Sequence, residues 1–94
     1  MDIKNFNPKD YVIKQGDDGK ELFIVSEGKL NCTKLFSGKT EETFLKQYKP
    51  GEVFGELSLF YNTPRAASIQ SVENSTCFVL DRETFNAIVK NSAN

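Results

Sequence analysis

The sequence predicts a mainly β domain, a sandwich or barrel of short strands, and three features carry this prediction. Turn-forming residues recur about every ten to thirteen positions. The segments between these turns favour β-branched and aromatic side chains, which strands accommodate well. Side chains also alternate with a period of two, as at Phe44, Lys46 and Tyr48, which is typical of a strand with two different faces.

The turn signals divide the chain into segments of strand length. They lie at residues 16–19, 27–28, 37–38, 50–51, 62–64 and 73–74. Strands are therefore expected over residues 11–15, 21–26, 29–36, 43–48, 66–72 and 76–80. Because no internal repeat, low-complexity tract or linker interrupts this rhythm, residues 1–94 are expected to form a single domain.

The last part of the chain departs from the β pattern and predicts a helix over residues 82–90. Asp81 is a residue type that caps helices, and Glu83 would place a negative charge in the first turn. Apolar side chains follow at the spacing of one helical face, namely Phe85, Ile88 and Val89. Residues 91–94 are expected to be a polar tail.

Composition and charge exclude several classes of function. The 94 residues include no His, so imidazole-based zinc sites and Ser-His-Asp triads lose their usual ligand or base. A net charge of -1 gives no basic field for nucleic acid or for an anionic membrane. The longest apolar run, residues 22–25, is far too short to span a bilayer, and the first residues of the sequence are polar and lack the apolar core of a signal peptide. We therefore expect a cytoplasmic protein without enzymatic activity, nucleic acid or membrane partner.

The two cysteines, Cys32 and Cys77, lie in apolar-rich segments and match no metal-binding or redox spacing. We interpret them as reduced thiols of the core, because free cysteine packs as a small hydrophobic side chain. A disulfide between them is the alternative. No metal site is expected.

The segment 54–69 carries the chemistry. Gly55 allows a close backbone approach at the start of a possible helical turn over residues 56–60, where free N–H groups could hold an anion. Arg65 has the planar fork that matches two phosphate oxygens. Glu56 offers an acceptor for a sugar hydroxyl. On these residues alone, a phosphorylated sugar competes with simpler interpretations, a surface or ion-paired arginine and a glutamate that stabilises a helix dipole.

Residues 54–68 read F-G-E-L-S-L-F-Y-N-T-P-R-A-A-S, which resembles the phosphate-binding cassette of cyclic nucleotide-binding domains. The form is that of the regulatory subunits of cyclic-AMP-dependent protein kinase. Upstream, residues 11–19 and 22–28 are similar to the early strands of the family and their glycine turns. Downstream, residues 80–85 are similar to the entry of the helix behind the barrel.

The resemblance implies a β jelly-roll barrel (a double-stranded β-helix), with a short helix in the cassette and a C-terminal helix. It implies that Arg65 binds the cyclic phosphate and Glu56 the ribose 2′-hydroxyl, while Gly55 permits the close approach. It also implies that the backbone amides of Ser58 and Ala66 contact phosphate oxygens. The expected binding residues are Gly55, Glu56, Leu57, Ser58, Arg65, Ala66 and Ala67.

The base preference is read at the position after the arginine. Cyclic-GMP-dependent kinases usually carry Thr or Ser there, whereas this chain carries Ala66, which favours cyclic AMP. The implied function is a regulatory sensor of cyclic AMP, acting in its full-length parent on a protein kinase catalytic subunit. The alternatives are a cyclic-GMP-binding module of a kinase or channel, and a barrel that binds only a partner protein.

The resemblance also implies how ligand binding is transmitted. The cassette residue Leu59 would contact the following helix, where Phe85 and Ile88 would respond to it. Two positions depart from the kinase subunits, Ser58 in place of Ala and Asn62 in place of Gly, and both remain small.

The two ends of the chain depart from the family pattern as well. The family continues into a lid helix that would follow Asn94. The helices that precede the barrel would be reduced to a few residues around Phe6. We therefore expect a fragment of a larger regulatory protein.

Overall fold

The computed structural model describes residues 2–56 and 64–92, with side chains described through residue 88. Eight antiparallel strands form two four-stranded sheets, and one helix follows them. The strands are β1 (Asp2–Phe6), β2 (Tyr11–Ile13), β3 (Glu21–Glu27), β4 (Leu30–Lys34), β5 (Thr43–Tyr48), β6 (Val53–Phe54), β7 (Ser68–Ser71) and β8 (Ser75–Asp81). The helix α1 spans Arg82–Ser92.

The strand order shows that the two sheets are built by crossovers between sequence-distant strands. One sheet has the order β1-β8-β3-β6 and the other β2-β7-β4-β5. Two packed antiparallel sheets with this kind of connection are the architecture of a jelly roll. The fold class predicted from the sequence is therefore confirmed, as a mainly β barrel with a C-terminal helix.

The main core lies between the two sheets. Its buried side chains come from both of them and are Ile13, Phe23, Val25, Leu30, Cys32, Phe54, Ile69, Cys77 and Val79. The pairing of β3 with β8 sets Val25 opposite Cys77 and Phe23 opposite Val79, so apolar side chains share one face. Both cysteines are free and buried, in agreement with their interpretation as core thiols.

All six predicted strands are present, and their bounds differ mainly at the ends. The strand over residues 43–48 agrees at both ends, whereas the strand predicted over 66–72 is confined to Ser68–Ser71. Residues 29–36 shorten to Leu30–Lys34. The strand interiors were predictable because alternation reports burial, while strand ends depend on the hydrogen bonds of a neighbouring strand.

Two strands were missed. β1 has the polar sequence DIKNF and is mostly exposed, so neither propensity nor alternation identifies it. It forms because its backbone pairs with β8 at the edge of a sheet. β6 has only two residues, Val53 and Phe54, and pairs with β3. The expectation that residues around Phe6 are remnants of preceding helices was wrong, because Phe6 belongs to β1.

The helix α1 begins where the sequence predicts. The Asp81 carboxylate accepts a 2.7 Å hydrogen bond from the backbone N–H of Thr84, which caps the first turn. Phe85 packs against a second cluster of buried residues, Leu22 and Leu80. Ile88 is 43% exposed, so it is less covered than its place on the predicted stripe suggested. The helix extends to Ser92, two residues beyond the prediction and into the predicted tail.

The predicted helical turn over residues 56–60 lies almost wholly outside the described residues, and so does the side chain of Val89. In the part of the chain that is described, no helix has the length and apolar character needed to cross a membrane.

Candidate functional site

A cavity of about 170 Å³ opens between the sheet containing β2, β4, β5 and β7 and the segment that follows β6. Its walls combine apolar side chains from the strands with residues on either side of the undescribed segment, and two of these residues, Glu56 and Arg65, are charged. The lining residues are Ile13, Cys32, Tyr48, Phe54, Gly55, Glu56, Pro64, Arg65, Ala66, Ala67 and Ile69. The cavity thus joins one apolar surface to one cation and one carboxylate.

The apolar wall contains aromatic rings that pack on each other. Phe54 is 1% exposed. Its ring stacks on Phe23 with centroids 5.1 Å apart and contacts Tyr48 at 5.0 Å. Burial raises the pKa of the Tyr48 phenol, so its hydroxyl stays protonated at neutral pH. Such a wall suits a flat heterocycle or another apolar ring.

The Arg65 guanidinium is buried in the cavity wall, with 8% of the residue exposed. Its Nη2 nitrogen donates to the backbone carbonyl of Glu21 at 2.9 Å, and its Nη1 nitrogen donates to the carbonyl of Gly55 at 3.2 Å. The Phe23 ring lies beneath it, 5.9 Å from the guanidinium carbon to the ring centroid. Because a guanidinium carries five N–H donors, two carbonyl partners hold it without using all of its donors.

The backbone of Arg65 is held by the turn between β2 and β3. The Arg65 N–H donates to the Asp17 carbonyl, and the Gly16 N–H donates to the Arg65 carbonyl, each at 2.8 Å. Close by, the backbone N–H of Gln15 donates to the Ser68 hydroxyl at 2.9 Å. These bonds fix both the backbone and the side chain of Arg65 to the barrel.

In the described part of the chain, carboxylates do not pair directly with Arg65. Across residues 2–56 and 64–88, none forms an ion pair with its guanidinium within 4.0 Å. Burial lowers the pKa of Arg65, and the Glu21 charge offsets this in part. A buried cation whose hydrogen bonds go to carbonyl groups is costly without a directly paired opposite charge. The geometry is therefore suited to an anion that enters the cavity.

Five of the seven predicted binding residues line this cavity, namely Gly55, Glu56, Arg65, Ala66 and Ala67. The other two, Leu57 and Ser58, lie outside the described residues, as does Leu59. Gly55 has a φ of +85°, and a Cβ there would lie 2.9 Å from both the Nη1 nitrogen of Arg65 and the Glu21 carbonyl oxygen. A side chain at position 55 would therefore be strained and would displace Arg65 or the backbone of β3.

Prediction of the site from the sequence missed most of the apolar wall. Ile13, Cys32, Tyr48 and Ile69 come from four different strands and line the cavity together with the cassette. Period-two alternation marks their inward faces, but it does not distinguish a core position from a cavity position. Burial raises the pKa of the Cys32 thiol, an effect that the Lys46 ammonium opposes. Cys32 is therefore a neutral wall residue at neutral pH.

Comparison with known proteins identifies related sequences along almost the whole chain. The family described as "Cyclic nucleotide-binding domain" matches residues 3–92. Human cGMP-dependent protein kinase 2 is 36% identical over 90 residues, which covers 95% of this chain and 12% of that protein. The cAMP-dependent protein kinase regulatory subunit of Emericella nidulans is 44% identical over 89 residues, covering 87% of this chain and 22% of that protein. The chain thus spans a small part of these relatives.

Solved structures share the fold. The regulatory domain of Toxoplasma gondii PKA with cAMP superposes with a TM-score of 0.84 at 48% identity, covering 98% of this chain and 34% of that one. The catabolite activator protein of Thermus thermophilus superposes with a TM-score of 0.91 at 30% identity, covering 98% and 43%. The relatives include kinases named for cGMP and regulatory proteins named for cAMP, so the two nucleotides are not distinguished by similarity.

Proposed function

Because this chain belongs to the cyclic nucleotide-binding domain family, we propose that its cavity binds cyclic AMP in preference to cyclic GMP and that this binding regulates a larger parent protein. The observation that carries the proposal is the buried Arg65, which lines the cavity and has only backbone carbonyls as its described hydrogen-bond partners. A cyclic phosphodiester carries one negative charge, and its two free oxygens match the guanidinium fork. Binding would therefore neutralise the buried cation.

The remaining groups of a nucleotide are assigned by chemistry. Glu56 lines the same cavity as Arg65, and its carboxylate would accept a hydrogen bond from the ribose 2′-hydroxyl. The amides of Ser58 and Ala66 would donate to phosphate oxygens. The apolar wall around Tyr48 and Phe54 would contact the purine ring. Leu57 and Ala67 would complete the pocket around the phosphate.

The preference for cyclic AMP rests on Ala66, because the relatives include proteins named for either nucleotide. Ala66 is exposed and lines the cavity. A hydroxyl at this position could accept a hydrogen bond from the guanine 2-amino group, which adenine lacks, and an alanine methyl offers no such acceptor. Discrimination against guanine would follow from the missing bond.

Parallel calorimetric titrations with cyclic AMP and cyclic GMP test this proposal. We expect the unsubstituted chain to bind cyclic AMP more tightly than cyclic GMP. Ala66→Thr should raise the affinity for cyclic GMP about fivefold, which corresponds to about 1 kcal/mol. Ala66→Val is the matched control, because valine has nearly the same shape as threonine but no hydroxyl, and it should not gain affinity for cyclic GMP. Equal or reversed preference in the parent would refute the assignment of the base, and no binding of either nucleotide would refute the function.

The regulatory output is proposed to pass through α1. Phe85 joins this helix to the cluster of Leu22 and Leu80 beside β3 and β8, and the cassette residue Leu59 would press on the same helix when the ligand binds. Ile88 would respond as well. A ligand shifts the equilibrium between two positions of α1 only if it binds the two corresponding arrangements of the domain with different affinity. Hydrogen exchange of residues 82–92 should therefore change on addition of cyclic AMP, and unchanged exchange would contradict the coupling.

We further propose that the domain itself performs no catalysis and acts in the cytoplasm. Its partner, in the full-length parent, would be a protein kinase catalytic subunit. This follows the relatives named as regulatory subunits of cAMP-dependent protein kinase. A pull-down of a kinase catalytic subunit by the full-length parent, released by cyclic AMP, would be the direct test.

A further inference from the structure

We infer that Gly19 is a positioning residue for the nucleotide phosphate, because the space that its missing side chain leaves is occupied by the guanidinium of Arg65. This inference rests on the proposed function, in which Arg65 binds the phosphate. Gly19 lies in the turn between β2 and β3, outside the cassette and far from Arg65 in sequence.

The contact between Gly19 and Arg65 is unusually close. A Cβ placed on Gly19 would lie 2.5 Å from the Nε and Nη2 nitrogens of Arg65 and 2.8 Å from its Cζ. All three distances are shorter than a van der Waals contact, so any side chain at position 19 must displace the guanidinium. Gly19 has no left-handed φ, unlike five other glycines of the chain. Glycine is therefore required at position 19 by the space that the Arg65 guanidinium occupies, and not by the backbone conformation.

The guanidinium cannot move aside without losing what holds it. The carbonyls of Glu21 and Gly55 accept its hydrogen bonds at 2.9 and 3.2 Å, and the Phe23 ring packs near it. The backbone of Arg65 is itself fixed by Asp17 through a 2.8 Å bond. Displacement by a methyl group would therefore break one or both carbonyl bonds and turn the fork away from its present direction.

The direction of the fork decides whether it can bind a phosphate with two bonds. Two parallel N–H···O bonds to one phosphate need a fixed plane and direction, and a small displacement removes one of them. Loss of one such bond corresponds to an affinity loss of at least about tenfold. The turn between β2 and β3 thereby takes part in recognition, although it supplies no side chain to the proposed ligand.

Calorimetric titration of Gly19→Ala with cyclic AMP tests the inference. We expect at least a tenfold loss of affinity. Gly38→Ala is the control for a disturbance remote from Arg65: its φ of +80° makes the substitution locally strained, but a Cβ there has nothing within 4 Å, and its affinity should stay within twofold of the unsubstituted chain. Affinity of Gly19→Ala within twofold of the parent, in a folded protein, would overturn the inference.

A double-mutant cycle separates positioning of Arg65 from a general loss of stability. In the Arg65→Ala background the obstacle is gone, so Gly19→Ala should no longer lower the thermal unfolding midpoint, whereas it should lower it in the parent. The midpoint is measured without nucleotide. If the parent binds neither nucleotide, the proposed function fails while the cycle still decides whether Gly19 positions Arg65. Equal effects in both backgrounds would overturn the inference.

Discussion

Replacing Arg65 with lysine should weaken binding of cyclic AMP and, at the same time, destabilise the ligand-free domain. The guanidinium holds the carbonyls of Glu21 and Gly55 with two different nitrogens. A lysine keeps the positive charge but places all three of its donors on one nitrogen. It cannot bond both carbonyls and also offer a planar pair of donors to a phosphate.

The expected magnitudes follow from counting these bonds. Loss of one charge-assisted bond to the phosphate weakens binding by about 1.5–3 kcal/mol, which is about 10- to 100-fold in affinity. Loss of one bond to a buried carbonyl lowers the free energy of unfolding by about 1–3 kcal/mol. Arg65→Ala should exceed Arg65→Lys in both quantities, since it removes the charge and leaves both carbonyls without this donor.

Titration calorimetry with cyclic AMP and urea unfolding of the ligand-free protein measure the two effects separately. Arg82→Lys is the matched control, because Arg82 is the second arginine of the chain, is exposed and does not line the cavity. We expect its affinity to stay within twofold of the parent. If Arg65→Lys stays folded and binds cyclic AMP within twofold of the parent, Arg65 does not bind the phosphate and our reasoning is wrong.

Three further predictions concern the fold. Phe54→Ala should lower the free energy of urea unfolding by about 3–5 kcal/mol because it leaves a cavity where the Phe54 ring stacks on Phe23, whereas Phe44→Ala, at a residue 57% exposed, should change it by less than about 1 kcal/mol. Similar losses for the two variants would contradict the placement of Phe54 in the core. Asp81→Ala should lower the thermal midpoint by a few degrees at neutral pH. The hydrogen bond from the Thr84 N–H holds the pKa of Asp81 below its usual value in the folded protein, so the stabilisation by the cap is present above the ordinary carboxyl pKa and is lost as the pH falls through the pKa of Asp81 in the folded state. A difference in midpoint between the two proteins that persists at pH 2 would contradict the capping role. Burial raises the pKa of the Cys77 thiol to about 11, so as the pH rises this thiol ionises first in the unfolded chain, and the free energy of unfolding should fall by about 2–3 kcal/mol between about pH 9 and 11. Cys77→Val should flatten this part of the profile of stability against pH, and an unchanged slope would show that Cys77 does not cause it.

The sequence by itself determined the class of fold and the local part of the site. Strand interiors such as Thr43–Tyr48 follow from alternation and from turns at regular intervals. The helix from Arg82 follows from its cap and apolar stripe. The polar residues of the cavity, Glu56 and Arg65, lie within ten positions of each other, so the resemblance of one short motif to a known family was enough to predict that they share a pocket.

Tertiary structure decided how the strands pair and what surrounds Arg65. β1 is polar and exposed, and it exists only because β8 offers an edge with which to pair. The Glu21 carbonyl that holds Arg65 is 44 positions away from it, and the Gly19 space beside the guanidinium is equally remote. Local propensity carries no information about such contacts, because they arise from the register and closure of strands that are distant in sequence. The chemistry of the cavity is therefore readable from the chain, while its geometry is set by the crossovers of the barrel.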